Sequence, residues 1–387
     1  VKAIIAGGGT GGHLFPAIAL AEELRSRRTD LSLLFIGVEG GIEASLLATR
    51  GWDFEGIRAS GLQGKGHLSR LRSLTLIPSG LIRSLSILRR FRPDVVVGFG
   101  GYASAAMVLS GVLARVPTVI HEQNALPGLA NRWLGRIVDR VAVAFEEASE
   151  FFPKSKVRVT GNPVRAELFG VSRAEAAARL GLDANRFTLL IFGGSQGAHR
   201  LNQAVMEALP KLTDEREWIQ FIHATGPRDL SLVRQGYDAF GYPAVVEPFF
   251  QAMAVAYATA DLCFCRAGAG TVAELCALGK PSVLVPFPFA ANDHQRYNAE
   301  ALVASGGARM VLDRDLSGAT VAEIIRTFLR DREGLEIMAR RAKGLAKPDA
   351  AARLADLVTL TACQAPDARF QVSSQQLRGG TRSYGHV

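Results

Sequence analysis

No uninterrupted apolar run of about 18 residues occurs in the 387-residue sequence, which excludes a bilayer-spanning helix of the usual kind. Cysteine is scarce: Cys263, Cys265, Cys276 and Cys363 are the only four. Their spacing makes neither a disulfide framework nor a zinc site. Cys263 and Cys265 alternate in Leu262-Cys263-Phe264-Cys265 and read as small buried strand side chains. No leader pattern precedes the first strand, so a cytoplasmic protein is expected. Acidic residues are missing altogether from Arg58 to Arg92, where Lys65, Arg70, Arg72, Arg83, Arg89, Arg90 and Arg92 add to Arg58. This concentrates a net charge of +9 and favours anionic lipid or phosphorylated ligands. Aromatics are nearly absent there too, which argues against single-stranded nucleic acid, because bases need stacking platforms.

Glycine, by contrast, is abundant and placed. Val1 to Ala6 reads as a buried strand and Leu14 to Leu24 as a helix, joined by Gly7-Gly8-Gly9-Thr10-Gly11-Gly12-His13. Such a turn lets the backbone approach a ligand closely and points helix-start amides at an anion. The pattern returns at Leu190-Ile191-Phe192-Gly193-Gly194-Ser195-Gln196-Gly197-Ala198-His199. Two copies, each opening one half of the chain, predict two Rossmann-like domains facing across a cleft.

Strand and helix patterns alternate throughout, which predicts parallel α/β sheets with right-handed crossovers. Pro78 is expected to break the basic, apolar segment 68–91 into two helical pieces. Leu81, Leu85 and Leu88 share a face and suit either a core or a lipid surface. Thr271 is expected to cap the helix Val272 to Leu278. From Gln364 onward the composition reads as disordered. The expected organisation is an acceptor-side domain over 1–163 and a nucleotide-sugar domain over 164–340. A helix at 341–363 would return to the first domain, followed by the tail 364–387.

Open α/β sheets bind ligands outside the carboxyl ends of their strands. That gathers Thr10, Gly11, Gly12, His13, Tyr102, His121, Glu122 and Asn124 from the first half. The second half supplies Ser195, Gln196, Arg266, Thr271, Glu274, Asp293, His294, Gln295 and Asn298. In order and spacing, the first glycine loop, Gly100-Gly101-Tyr102, His121-Glu122-Gln123-Asn124, Gly161-Asn162-Pro163-Val164-Arg165, Gly193 to Ala198 and Arg266 to Glu274 resemble the MurG family. These are peptidoglycan glycosyltransferases with the GT-B fold.

The resemblance implies an inverting transfer of N-acetylglucosamine from UDP-N-acetylglucosamine to a polyprenyl-diphosphate-linked muramyl-pentapeptide, without an active-site metal or other cofactor. It implies a peripheral protein on the cytoplasmic face of the bacterial inner membrane, held by anionic lipid through segment 68–91, with no nucleic-acid partner. It also implies that Ala269, Gly270, Thr271, Val272 and Ala273 lie in the donor site, with Gly268 to Thr271 suited to the diphosphate, Glu274 to the ribose and Phe250 by the uracil. Arg165, Ser195, Gln295 and Asn124 would complete the donor site, with Asn298 at the sugar. Thr10, Gly11 and Gly12 would meet the acceptor pyrophosphate and the donor sugar, and Tyr102, His121 and Asn131 the acceptor. His13 and Glu122 are the two candidates for the general base. No Asp-x-Asp pair falls among these cleft motifs, so charge would be met by helix amides and cationic side chains.

Three other readings stay open on sequence. Gly7-x-Gly9-x-x-Gly12 with Glu39 also fits a dinucleotide fingerprint. A UDP-N-acetylglucosamine epimerase would share the two-domain fold. A nucleotide-sugar binding protein would need no acceptor. Fold alone does not choose among these.

Overall fold

The computed structural model describes residues 1–9, 11–41, 43–57 and 67–364, with side chains from 78 onward in the helix that starts at His67. Thr10, Ile42, the stretch 58–66 and the tail beyond Gln364 lie outside the described residues. The first half runs β1 (Lys2–Ala6), α1 (Gly11–Arg27), β2 (Ser32–Val38), α2 (Glu43–Ala48), β3 (Asp53–Ile57), α3 (His67–Phe91) and β4 (Val95–Gly98). It continues with α4 (Tyr102–Leu113), β5 (Thr118–Glu122), α5 (Leu129–Leu134), β6 (Arg140–Val143) and β7 (Val157–Val159). These strands make one parallel sheet in the order β3-β2-β1-β4-β5-β6-β7.

The second half runs α6 (Arg173–Leu180), β8 (Phe187–Phe192), α7 (His199–Ala208), β9 (Ile219–Ala224), α8 (Leu230–Phe240), β10 (Ala244–Glu247) and α9 (Met253–Thr259). Then come β11 (Leu262–Cys265), α10 (Ala269–Leu278), β12 (Ser282–Leu284), α11 (His294–Ala304), β13 (Ala308–Met310), α12 (Gly318–Arg330), α13 (Arg332–Gly344) and α14 (Ala350–Ala362). The second sheet, β10-β9-β8-β11-β12-β13, is also parallel and repeats the first six places of the first.

In each sheet the order reverses beside the first strand, between β1 and β4 and between β8 and β11. That switch point is where a doubly wound sheet opens a crevice. Both glycine loops leave their sheets there. The central strands are apolar on both faces, as helices on both sides require: β8 and β9 are buried along their whole length. Val97 and Ile5 pack with α1 and α14 on one face of the first sheet, while Ile4 and Val96 pack with α3, α4 and α5 on the other.

Two local expectations need correction. Pro78 does not divide its segment; α3 is one helix of 25 residues. A proline removes one intrahelical N–H bond, and packing compensates: Ile87 and Leu88 reach the core, and Ser110 of α4 donates to the Leu81 carbonyl at 3.4 Å. Thr271 is not a cap, because α10 begins at Ala269 with Gly268 at its N-cap and no side-chain capping bond. Of the shared-face leucines, Leu88 is core and Leu85 packs against it, whereas Ile82 is 68% exposed.

The chain crosses between the halves twice. After β7 it passes through Gly161, with φ near +85°. A Cβ there would lie 2.7 Å from Lys347 Cβ and 3.1 Å from Ala350 Cβ, so the two crossings touch. α14 then buries Leu354, Ala355 and Val358 against the first sheet's helix side, and Arg27 of α1 pairs with Asp356 at 2.5 Å.

Candidate active site

His13 sits in the first turn of α1, beneath the turn that follows β4. Gly100 and Gly101 have positive φ, and a Cβ on Gly100 would come within 2.9 Å of the His13 ring. A Cβ on Gly101 would strike the Gly8 carbonyl at 2.7 Å. Only glycine allows the two turns to close together. Below this loop Gly9 N donates to the buried carboxylate of Glu43, a residue that the motif reading passed over.

His13 Nδ1 lies 3.2 Å from Gln123 Oε1. Gln123 Nε2 lies 2.9 Å from the Phe99 carbonyl, 3.1 Å from the His121 carbonyl and 3.1 Å from His121 Nδ1. His121 Nε2 lies 3.0 Å from the Gly161 carbonyl. Burial pulls the pKa of His121 down to about 4. Burial also lowers that of His13, against smaller upward pulls from the Gln123 bond and the Phe99 carbonyl. His294, at the start of α11, pushes it down further.

Glu122, the other candidate base, is 2% exposed and surrounded by donors. Its Oε1 accepts from Asn124 N (2.9 Å) and Asn124 Nδ2 (3.1 Å), and its Oε2 from Gly128 N (3.2 Å) and Asn131 Nδ2 (2.9 Å). Burial raises its pKa, and these bonds oppose the rise. The four donors occupy the carboxylate and tie the loop from Asn124 to Asn131 together. Asn131 is thereby committed to Glu122. Tyr102, at the start of α4, is 39% exposed.

On the second side, α10 begins without a side-chain cap. Its first amides are thus available to an anion. Glu274, one turn in, accepts from Arg165 Nη2 at 3.2 Å and from Tyr257 OH at 3.0 Å. Burial raises the Glu274 pKa, and Arg165 pulls it back. Arg165 also stands over the Phe15 ring of α1, 4.3 Å from its centroid, so this pair borders the first domain. Ser195 and Gln196 are exposed on the second glycine loop, and Phe250 is buried against the second-domain core. Gln295 Oε1 accepts from Phe287 N at 3.0 Å, joining α11 to the loop after β12.

Asn298, implied at the sugar, makes its hydrogen bonds within the protein. It is fully buried and bridges the domains: Oδ1 accepts from Ala125 N at 2.9 Å, while Nδ2 donates to Asn124 Oδ1 at 3.1 Å and to the Ala267 carbonyl at 3.2 Å. Arg266 pairs with Asp313 at 2.6 Å and donates to the Val285 and Pro286 carbonyls. It fastens the base of the loop after β12. The one Asp-x-Asp of that region, Asp313-Arg314-Asp315, is therefore engaged through its first member. Among the described residues, no group of three or more His, Cys, Asp or Glu side chains is placed to hold a metal.

Two Rossmann-like domains, each with a phosphate-type loop at its switch point and with cleft residues from both, define the GT-B fold. Residues 3–143 match the Glycosyltransferase family 28 N-terminal domain and residues 188–354 the Glycosyltransferase family 28 C-terminal domain. A Myxococcus xanthus UDP-N-acetylglucosamine–N-acetylmuramyl-(pentapeptide) pyrophosphoryl-undecaprenol N-acetylglucosamine transferase is 47% identical, over 92% of this chain and 92% of the relative. A Geotalea daltonii protein of the same name is 45% identical, over 93% and 97%. The crystal structure of Acinetobacter baumannii MurG superposes with a TM-score of 0.71 at 28% identity, over 93% of this chain and 99% of that one. The chain belongs to glycosyltransferase family 28, and within it to the MurG family. A Neisseria meningitidis UDP-GlcNAc 2-epimerase bound to UDP-GlcNAc shares the fold alone, at 15% identity and a TM-score of 0.65.

Proposed function

We infer that this protein transfers N-acetylglucosamine from UDP-N-acetylglucosamine to the 4-hydroxyl of the lipid-linked N-acetylmuramyl-pentapeptide, converting lipid I to lipid II. The relatives' shared activity over nearly the whole chain supports this. The observation that carries it is the cleft itself, with His13 on one wall and the uncapped start of α10 beside Arg165 and Glu274 on the other. The acceptor oxygen attacks the anomeric carbon and inverts it. Its proton passes to His13, and the electron pair of the anomeric C–O bond leaves with UDP. The α10 amides meet the charge that develops on the diphosphate. Glu122 orders the loop that carries Asn124 rather than serving as the base, since its oxygens already accept four hydrogen bonds. Ser195, Gln295 and Phe250 complete the donor side, and Tyr102 faces the acceptor.

The reaction runs without a metal in this reading. No helix among the described residues is long and apolar enough to cross a membrane, and we place the protein peripherally on the inner leaflet. The support is on α3 and α5, which pack on the same side of the first sheet. Ile82 of α3 is exposed on the same helix as the exposed Arg89, and Leu129 and Trp133 of α5 are exposed with Arg132 between them in sequence. Apolar side chains flanked by arginine suit anionic headgroups.

The test is UDP release from UDP-N-acetylglucosamine in EDTA, with and without lipid I. Release that requires lipid I and survives EDTA is expected. Release without acceptor would favour a hydrolysing epimerase, and donor binding without turnover would favour a binding protein.

A further inference from the structure

The hydrogen bonds that begin at His13 end in the linker between the domains, and each step fixes the next. The Gly161 carbonyl can only accept, so the His121 nitrogen facing it, Nε2, carries hydrogen. His121 is buried and neutral, which leaves its Nδ1 bare. A bare nitrogen accepts, so the Gln123 atom 3.1 Å away is the amide NH2. The Phe99 carbonyl, 2.9 Å from the same atom, fixes the amide orientation independently. Gln123 Oε1 therefore faces His13, and it can only accept. His13 Nδ1 carries hydrogen, and in the neutral ring Nε2 holds the lone pair. These protons are assigned from the network.

We propose that Gln123 is a positioning residue whose locked amide holds His13 in the tautomer with Nε2 free to take a proton, and that His121 and the linker carbonyl of Gly161 hold the amide. The consequence for rate rests on His13 being the base; the tautomer itself does not. An amide suits this task because it supplies an acceptor without a charge. The titratable group that acts on His13 is His294 of α11, His13 in turn acts on His121 of β5, and no carboxylate among the described residues is hydrogen-bonded to His13. The relay also couples the site to the domain crossing, because Gly161 sits at the contact between the two linkers.

The test is nitrogen-15 NMR of the histidine-labelled full chain at mildly alkaline pH, with the His13 signals assigned by their loss in His13→Gln. The expected wild-type pattern is a protonated Nδ1 and a bare Nε2. A proton on Nε2 would overturn the proposal without recourse to any variant. In Gln123→Met, which keeps the length but offers no acceptor oxygen, His13 is expected to shift toward the Nε2-protonated form. The kcat should fall about 10- to 100-fold, while KM for the donor changes by less than about 3-fold. Gln123→Glu restores an acceptor and adds charge, so it should keep the Nδ1 proton and move the acid limb of the kcat/KM profile to higher pH. An unchanged His13 spectrum in Gln123→Met would sink the positioning role. A changed spectrum with unchanged kcat would keep that role and remove His13 as the base.

Discussion

Replacing Asn298 by alanine should act on the arrangement of the two domains rather than on either domain's core. The side chain belongs to α11 of the second domain, yet two of its three hydrogen bonds reach Asn124 and Ala125 of the first. The Ala125 amide is buried, and Asn298 Oδ1 is the acceptor 2.9 Å from it. Leaving a buried donor unpaired costs about 1–3 kcal/mol. The domains can escape that cost by separating enough to admit water, so it appears as a shift away from the joined arrangement. At about 1.4 kcal/mol per factor of ten, the joined population falls on the order of 10- to 100-fold relative to the separated one. Ligands that need both walls should weaken by up to that factor. Calorimetric titration with UDP-N-acetylglucosamine, paired with small-angle scattering of the unliganded variant, separates two explanations. Loss of a pin between domains weakens the sugar nucleotide and also changes the scattering toward a more open arrangement. If the sugar nucleotide weakens while the scattering matches wild type, Asn298 meets the sugar and the pin argument is wrong.

The pH dependence of kcat/KM should show His13 titrating below 6.5. Burial disfavours its charged form, so the base-competent neutral ring persists as pH falls through 6.5 and activity drops only at lower pH; a midpoint above 6.5 would contradict this. Stability has its own acid limb. Folding lowers His121 to about 4 and His223 to about 3 from the ordinary 6.5. Below pH 6.5 the unfolded chain therefore takes up protons that the folded chain refuses, and each histidine costs about 1.4 kcal/mol per pH unit down to its folded value. Urea titrations at stepped pH should show this slope, and His223→Gln should reduce it. Glu274→Ala removes a partner from buried Arg165 and should lower Tm and raise the donor KM, because the cation is left half-paired; Glu274→Gln, which keeps an acceptor oxygen, should lose less in Tm. Sedimentation with anionic vesicles should fall about tenfold in Leu129→Asp with Trp133→Asp, and equal sedimentation of the double variant would place the lipid contact elsewhere.

Much of the architecture is legible because the period of the side chains changes where the structure changes. Strands such as Phe187–Phe192 and Leu262–Cys265 are short apolar runs between glycine or aspartate turns, and the chain order of those turns announces two copies of one topology. Helix α8 and strand β13 escape that reading. Leu230–Phe240 is interrupted by Gly236, which packs against Met206, and Ala308–Met310 is too short to show a period. Pro78 misleads because local propensity predicts a break that packing on α4 overrides.

The site is legible in its motifs and illegible in its partnerships, and the repeat shows why. His13 and His199 hold matching places after the two glycine loops. His199 Nδ1 meets the carboxylate of Asp229, 2.9 Å away and 30 positions along the chain. His13 Nδ1 meets the amide of Gln123, 110 positions along. Identical local grammar thus delivers a charged partner in one half and a neutral one in the other. The difference is set by which strand end lies beneath the helix start. Beneath α1 it is the end of β5, where His121 and Gln123 stand two residues apart, the spacing that brings side chains to one side of an extended chain. That period-two pair was present in His121-Glu122-Gln123-Asn124 all along. It points to Gln123 only once β5 is known to lie beside β4 and the Phe99 carbonyl is known to face it. A chemical role of this kind belongs to the contact between two elements, so a sequence scanned one element at a time presents its residues without their function.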